Sequence, residues 1–161
     1  MPPLLGWYGD DFTGSTDVLE ALCLAGLRAR LFAAPPGPDA LAAAGELDAV
    51  GIAGEARSRP PAWMREHLPP AFTALRDAGA RIIHYKVCST FDSAPHLGSI
   101  GAALEIGQDL IGTPCVPVMV GAPSLGRFVT FGTLFARAAD GAIHRLDRHP
   151  TMSRHPATPM D

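Results

Sequence analysis

Short apolar segments alternate with segments of helical periodicity along this chain, and that alternation limits the possible folds more than any other feature. Each apolar segment has the length of a strand, and most of them end near glycine or proline. Strands are predicted over residues 4–8, 29–33, 49–53, 81–87, 116–120 and 142–146. Strands that are apolar throughout are typical of parallel sheets covered on both faces. The sequence therefore predicts an α/β fold with three layers, in which helices cover both faces of a mostly parallel, Rossmann-like sheet.

The segments between these strands predict the helices. A helix is expected to begin near Ser15 and to end at Gly26, which suits a helix C-terminus. Residues 40–44 predict one or two helical turns. Residues 61–78 predict a helix that Pro69 and Pro70 break or restart, because proline removes a backbone donor. A last helix is expected over residues 99–111.

Composition excludes several classes of protein. The chain has 161 residues, enough for one domain with a hydrophobic core, and its formal net charge of -3 argues against a nucleic-acid partner. No apolar segment approaches the ~20 residues of a membrane-spanning helix, and the first residues do not resemble a signal peptide. Three scattered cysteines predict neither disulfides nor a metal site and favour a reducing cytoplasm.

Polar residues cluster where predicted strands end. In open α/β sheets the ligand cleft lies beyond the carboxyl ends of the strands, so these clusters are expected to meet. The clusters are Asp10-Asp11 with Thr13, then Arg57–Arg59, then Lys86 with Ser89, Thr90 and Asp92, and finally Ser124 with Arg127.

Asp10 and Asp11 have two interpretations. One aspartate before a helix is most simply a cap. Neighbouring side chains on extended backbone point in opposite directions, so only one of the two can cap. The other is then free to bind a substrate hydroxyl or to take its proton.

Arg57 and Lys86 also have two interpretations each. Either can be a solvated charge at a loop, and for Arg59 that interpretation is preferred. Arg57 at a strand end is also well shaped to bind a carboxylate through two hydrogen bonds. Lys86 precedes the hydroxyls of Ser89 and Thr90, and together they suit a polyhydroxy acid or a transferring phosphoryl group.

Five motifs in a fixed order resemble the N-terminal domain of the four-carbon acid sugar kinases, also described as DUF1537 or type III effector-like proteins. These motifs are GDDFTGSTD, ARS, HYKVCSTFDSAPHLGSIG, VGAPSLGR and RLDRHPTMSRHPATPMD, and all of them lie within residues 6–161. The KVCSTFDS version resembles the 3-oxo-tetronate kinase branch. Much of the wider family has aspartate and arginine where this chain has Cys88 and Asp92.

The resemblance implies a kinase that phosphorylates the terminal hydroxyl of a sugar acid such as 3-oxo-tetronate, erythronate or threonate. It implies Asp11 as the catalytic aspartate that meets the substrate hydroxyls, with Asp10 beside it. It also implies Arg57 as the group that receives the carboxylate. The remaining substrate-binding residues that it implies are Thr13, Lys86, Ser89, Thr90 and Asp92.

The resemblance further implies a second domain, absent from this sequence, that binds ATP and Mg²⁺. Residues 1–147 are then the acid-binding domain and residues 148–161 a linker, and this chain alone is expected to be inactive. An apolar surface left uncovered predicts a homodimer. The alternative is a non-catalytic module of the same fold that senses a ligand or binds a partner.

Overall fold

The computed structural model describes residues 2–151, and within them it contains four helices and seven strands. The first half holds β1 (Leu5–Gly9), α1 (Phe12–Leu24), β2 (Ala29–Phe32), α2 (Pro38–Ala44) and β3 (Ala49–Ala53). The second half holds α3 (Pro61–Asp77), β4 (Ile82–Lys86), α4 (Ile100–Ile111), β5 (Arg127–Thr130), β6 (Thr133–Arg137) and β7 (Ile143–Arg145).

Strands β1 to β4 form one parallel sheet in the order β2-β3-β1-β4. Successive residues of the central strand β1 point to opposite faces, as strand geometry requires. The Trp7 indole donates to the carbonyl of Ser15 in α1, whereas Tyr8 packs edge-to-face on Phe72 of α3. Helices therefore cover both faces, and the predicted three-layer α/β fold is confirmed.

The strand order places a cleft at a definite point of this sheet. Helix α1 leads from β1 to β2 on one face, and α3 leads from β3 to β4 on the other. Strands β1 and β3 are neighbours, yet the chain leaves them toward opposite faces and opposite edges. Ligands of open α/β sheets bind at such a switch point, beyond the carboxyl ends of the strands.

A second, antiparallel sheet of β5, β6 and β7 packs beside the first and was not predicted as such. Only β7 corresponds to a predicted strand. The tight turn between β5 and β6 has Phe131 and Gly132 at φ of 46° and 71°, which suits a two-residue hairpin turn. Leu134, Ala136 and Leu146 form a small separate core with Phe91 and Val120.

The strand predicted over residues 116–120 is wrong. This segment has no regular structure, and Val116, Val118 and Met119 are exposed. Pro117 interrupts the segment, and proline has no N–H to donate to a neighbouring strand. Only Val120 at its end is buried.

The prediction that Pro69 and Pro70 break the helix is also wrong, because α3 runs through both. Its buried residues recur at helical spacing on either side of the prolines, at Met64, Leu68 and Leu75. Burial of this apolar face outweighs the two hydrogen bonds that the prolines cannot donate.

The predicted boundary at residue 147 is not tested by the fold. A 3₁₀ turn covers Leu146–Arg148, and His149, which follows it, is buried. The rest of the predicted linker, residues 152–161, lies outside the described residues. Among residues 2–151, no helix is both long and apolar enough to cross a bilayer.

Candidate functional site

Three loops meet at the carboxyl ends of β1, β3 and β4. Asp10 and Asp11 follow β1, Arg57 lies in a 3₁₀ turn after β3, and Lys86 ends β4. Backbone hydrogen bonds join these loops: Asp10 N–H donates to the Lys86 carbonyl and Arg57 N–H to the Asp10 carbonyl, each at 3.0 Å. The relative positions of the side chains are therefore set by the backbone.

Arg57 is the centre of the site. Its Nε donates to Asp92 Oδ2 at 2.9 Å, and its Nη1 donates to Asp11 Oδ2 at 3.0 Å. Its Nη2 donates to the same Asp92 oxygen and to Thr90 Oγ1 at 3.3 Å. The Thr90 hydroxyl lies 2.7 Å from Asp92 Oδ2. One guanidinium thus joins the loop after β1 to the loop after β4.

Asp11 is the aspartate that caps α1, which begins at Phe12 rather than at the predicted Ser15. Its backbone is extended, with φ −143° and ψ 164°, and its Oδ1 accepts from Gly14 N–H at 2.6 Å. The Asp11 side chain remains 24% exposed. Asp11 therefore combines capping and the Arg57 ion pair with access to a ligand.

Asp10 is 2% exposed, and its Oδ1 has no hydrogen-bond partner among residues 2–151. Burial, together with the nearby charge of Asp11, raises the pKa of Asp10 to about 7. Arg57, Lys86 and the backbone N–H of Cys88 oppose this rise. Asp10 is thus a buried carboxyl group at the edge of the site, with a pKa near neutral pH.

Lys86 points toward the beginning of α1. Its Nζ donates to the Val87 carbonyl at 2.7 Å, and a methyl group placed on Gly14 would lie 3.4 Å from that nitrogen. Among residues 2–151, no carboxylate lies within 4.0 Å of Lys86 Nζ. Arg57 is therefore paired with two carboxylates, whereas Lys86 has no ion-pair partner among residues 2–151.

The loop after β4 is supported from two sides. Buried Arg127 donates through Nε to the Ser89 carbonyl at 3.3 Å, which ties the loop to the second sheet. Gly98 has φ 59° and lies against the Arg57 backbone, where a methyl group would come within 2.3 Å of the Arg57 carbonyl oxygen. Gly98 was not predicted as a site residue, although a glycine just before the capping Ser99 was a signal for it.

The predicted site residues occupy three kinds of position. Asp11, Arg57, Thr90 and Asp92 are joined directly by hydrogen bonds. Asp10 and Lys86 adjoin them through backbone bonds and charge. Ser89 is positioned by Arg127, and Thr13 lies exposed in the first turn of α1.

The donor set suits a small, hydroxylated anion. Carboxylates accept hydrogen bonds from ligand hydroxyls, hydroxyl side chains both accept and donate them, and a cationic side chain can balance a ligand carboxylate. The sequence has no Gly-Lys-Ser/Thr phosphate loop, so these residues do not form the usual cradle for a triphosphate. Within residues 2–151, no three His, Cys, Asp or Glu side chains are placed to hold a metal ion.

Comparison with known proteins identifies relatives over nearly the whole chain. The 3-oxo-isoapionate kinase of Paraburkholderia graminis is 52% identical over 158 residues, which are 98% of this chain and 33% of that protein. The 3-oxo-tetronate kinase of Escherichia coli is 32% identical over 159 residues, which are 97% of this chain and 38% of that protein. The chain spans about a third of the length of these curated kinases.

Solved structures show the same fold. A Haemophilus influenzae protein of the DUF1537 family is 29% identical, with a TM-score of 0.73 over 96% of this chain and 35% of its own. A DUF1537 protein from Bordetella bronchiseptica, a domain-swapped dimer with bound citrate, is 23% identical. Its TM-score is 0.74 over 99% of this chain and 37% of its own, which supports the fold alone.

A family model described as the sugar-binding N-terminal domain matches residues 5–161. The resemblance seen in the sequence motifs is thereby confirmed, and the chain belongs to the family of sugar-binding N-terminal domains.

Proposed function

We propose that this chain is the acid-binding domain of an ATP-dependent kinase that phosphorylates a hydroxyl of a small 3-oxo sugar acid. The observation that supports this most is the 52% identity to a 3-oxo-isoapionate kinase across 98% of the chain. Relatives described as 3-oxo-tetronate kinases are 32–35% identical. The 3-oxo acids are therefore the preferred substrate class, ahead of erythronate and threonate.

The site residues have distinct roles in this proposal. Asp11 accepts the hydrogen bond of the hydroxyl to be phosphorylated and takes its proton, since its carboxylate is partly exposed and already oriented by Gly14 N–H and Arg57. Asp10 is buried next to Asp11 and contributes to the electrostatic potential of the site. The hydroxyls of Thr13, Ser89 and Thr90, together with Asp92, bind other polar groups of the acid.

The nucleotide is proposed to bind to another part of the polypeptide. Mg²⁺–ATP supplies the phosphoryl group, and its transfer depends on in-line positioning and on charge stabilisation. The residues of this chain bind the acid, fix its orientation and accept the hydroxyl proton. We place the enzyme in the cytoplasm and expect exposed apolar residues such as Met119 and Phe131 to favour a homodimer of the isolated chain.

The test is calorimetric titration of the 161-residue chain with 3-oxo-isoapionate, 3-oxo-tetronate, erythronate and threonate, using Mg²⁺–ATP as a control ligand. Saturable binding of one acid without binding of ATP is expected. Binding of ATP alone would contradict the assignment of an acid site to this chain. Acid binding without phosphoryl transfer by the complete gene product would instead indicate a ligand-sensing module.

A further inference from the structure

We propose that Lys86, rather than Arg57, is the cation that receives the carboxylate of the sugar acid, and that Arg57 is a positioning residue. This inference rests on the proposed function, because it concerns how the same site selects an acid. It differs from the assignment implied by the family resemblance, in which Arg57 receives the carboxylate.

Arg57 is already committed to the protein. All three of its side-chain nitrogens donate to side chains of the chain itself, through Asp11, Thr90 and Asp92. The fork that would bind a ligand carboxylate through two parallel bonds is occupied by Asp92, whose side chain is 8% exposed. A ligand carboxylate would have to displace a buried internal one.

The charges at Arg57 lead to the same conclusion. Two carboxylates, from Asp11 and Asp92, lie within hydrogen-bonding distance of one guanidinium, so this group of three is net negative. A third carboxylate at Arg57 would meet two like charges at close range. The Arg57 environment therefore disfavours an anion, although it suits hydroxyls that donate to Asp11 or Asp92.

Lys86 has the properties that Arg57 lacks. Its ammonium has three donors and uses one on the Val87 carbonyl at 2.7 Å. Among residues 2–151, it has no ion-pair partner within 4.0 Å. It also lies beside Gly14 in the first turn of α1, where Asp11 Oδ1 already accepts from the Gly14 N–H.

The two cations thus have different roles in ligand binding. Lys86 distinguishes an acid from an uncharged sugar, while Arg57 holds the Asp11 carboxylate and the Thr90–Asp92 loop in the geometry that binds hydroxyls. Loss of Arg57 weakens binding of charged and uncharged ligands alike. Loss of Lys86 weakens binding of the acid selectively.

The experiment compares the dissociation constants of an acid and of its primary carboxamide, measured by calorimetry on the complete gene product. The acid is whichever of 3-oxo-isoapionate, 3-oxo-tetronate, erythronate and threonate the wild type binds most tightly. The variants are Lys86→Gln, Lys86→Arg and the double variant Arg57→Gln/Asp92→Asn. The double variant removes one charge of each sign, so the net charge of the site stays the same as in the wild type. Thermal melts establish which variants fold.

We expect Lys86→Gln to reduce the preference for the acid over the amide at least about tenfold, and Lys86→Arg to retain most of it. The double variant should weaken both ligands and change their ratio by less than about threefold. If the ratio of the dissociation constants of acid and amide in Lys86→Gln equals that of the wild type, the inference is overturned, whether or not the double variant folds. The inference is also overturned if a folded double variant loses the preference for the acid over the amide.

The wild type separates this inference from the proposed function. If it binds neither the acids nor their amides, the proposed function fails, and this inference fails with it. If it binds an acid and its amide equally, the acid site stands, but the assignment of a carboxylate receptor to Lys86 is wrong.

Discussion

Asp10 and Asp11 are neighbours that the fold separates into different environments. Extended backbone at Asp11 sends successive side chains to opposite sides, so one carboxylate caps α1 and the other is buried. The sequence predicted that only one of the two could cap. It did not identify Asp11 as the cap, because that depends on α1 beginning three residues earlier than its apolar pattern indicates.

Asp11→Asn tests the catalytic role of this carboxylate with little effect on the helix. Asparagine caps a helix about as well as aspartate, so the free energy of unfolding should change by less than about 1 kcal/mol. Loss of the proton acceptor should lower kcat of the complete enzyme by about 10²- to 10⁴-fold. Steady-state kinetics check this, and turnover close to that of the wild type would remove Asp11 from the chemistry.

Asp10 should make stability depend on pH. Its folded pKa of about 7 lies above the unfolded value of 3.8, so the folded protein binds the extra proton between these values. The stabilisation is full below pH 3.8 and is lost as pH rises toward 7, by up to about 4 kcal/mol. Asp10→Asn should remove this dependence.

Urea denaturation of the wild type and of Asp10→Asn between pH 4 and pH 8 measures the effect. The stability of the variant relative to the wild type should increase with pH over this range and level off above pH 7. A constant difference would mean that Asp10 is ionised throughout and paired in a way that the structure does not contain.

At the scale of elements, the sequence predicted the first sheet better than the second. Strands β1 to β4 are apolar segments flanked by helices, which is the pattern that periodicity detects. Strands β5 and β6 are short and half-exposed, with Arg127 and Thr130 among four residues of β5, so their pattern is weak. Residues 116–120 looked like a strand by hydrophobicity, but Pro117 prevents one.

Helix α3 provides a test of tertiary packing against local preference. Pro70 is exposed on the helix, and it removes one backbone donor without contributing a buried side chain. Pro70→Ala should therefore raise the free energy of unfolding by about 1 to 3 kcal/mol, measured by urea denaturation. A lower stability would show that the two prolines stabilise α3 by restricting the unfolded chain.

Gly98 links the loop after β4 to the Arg57 turn, and Gly98→Ala should disturb both. The left-handed φ of 59° costs alanine about 1–2 kcal/mol, and its methyl group would collide with the Arg57 carbonyl. We expect a loss of about 2 kcal/mol or more in stability, together with weaker binding of the acid.

Gly101→Ala is the matched control for that change. Gly101 lies in α4, and among residues 2–151 a methyl group there would have only Ser99 Oγ, at 3.8 Å, as a close neighbour. Its stability should be unchanged or higher by up to about 1 kcal/mol, with normal ligand affinity. Equal losses in both variants would contradict the assigned role of Gly98.

The position of the site in the molecule follows from the order of the strands. The chain leaves the parallel neighbours β1 and β3 toward opposite edges of the sheet, and this switch point brings Asp10, Asp11 and Arg57 to one cleft. The sequence predicted that polar strand ends would meet, because parallel strands share a carboxyl edge. It did not predict that Asp92 would form an ion pair with Arg57, because that contact joins residues 35 positions apart in the sequence.

If this chain presents a sugar acid for phosphorylation, the complete gene product should transfer a phosphoryl group from ATP to that acid. The most direct test is to incubate the complete gene product with Mg²⁺–ATP and 3-oxo-isoapionate generated in the assay, and to detect the phosphorylated acid by mass spectrometry. We expect ATP-dependent formation of a monophosphate that is strongly reduced in Asp11→Asn. If a folded protein binds 3-oxo-isoapionate, 3-oxo-tetronate, erythronate and threonate but phosphorylates none of them, this chain does not present an acid for phosphorylation.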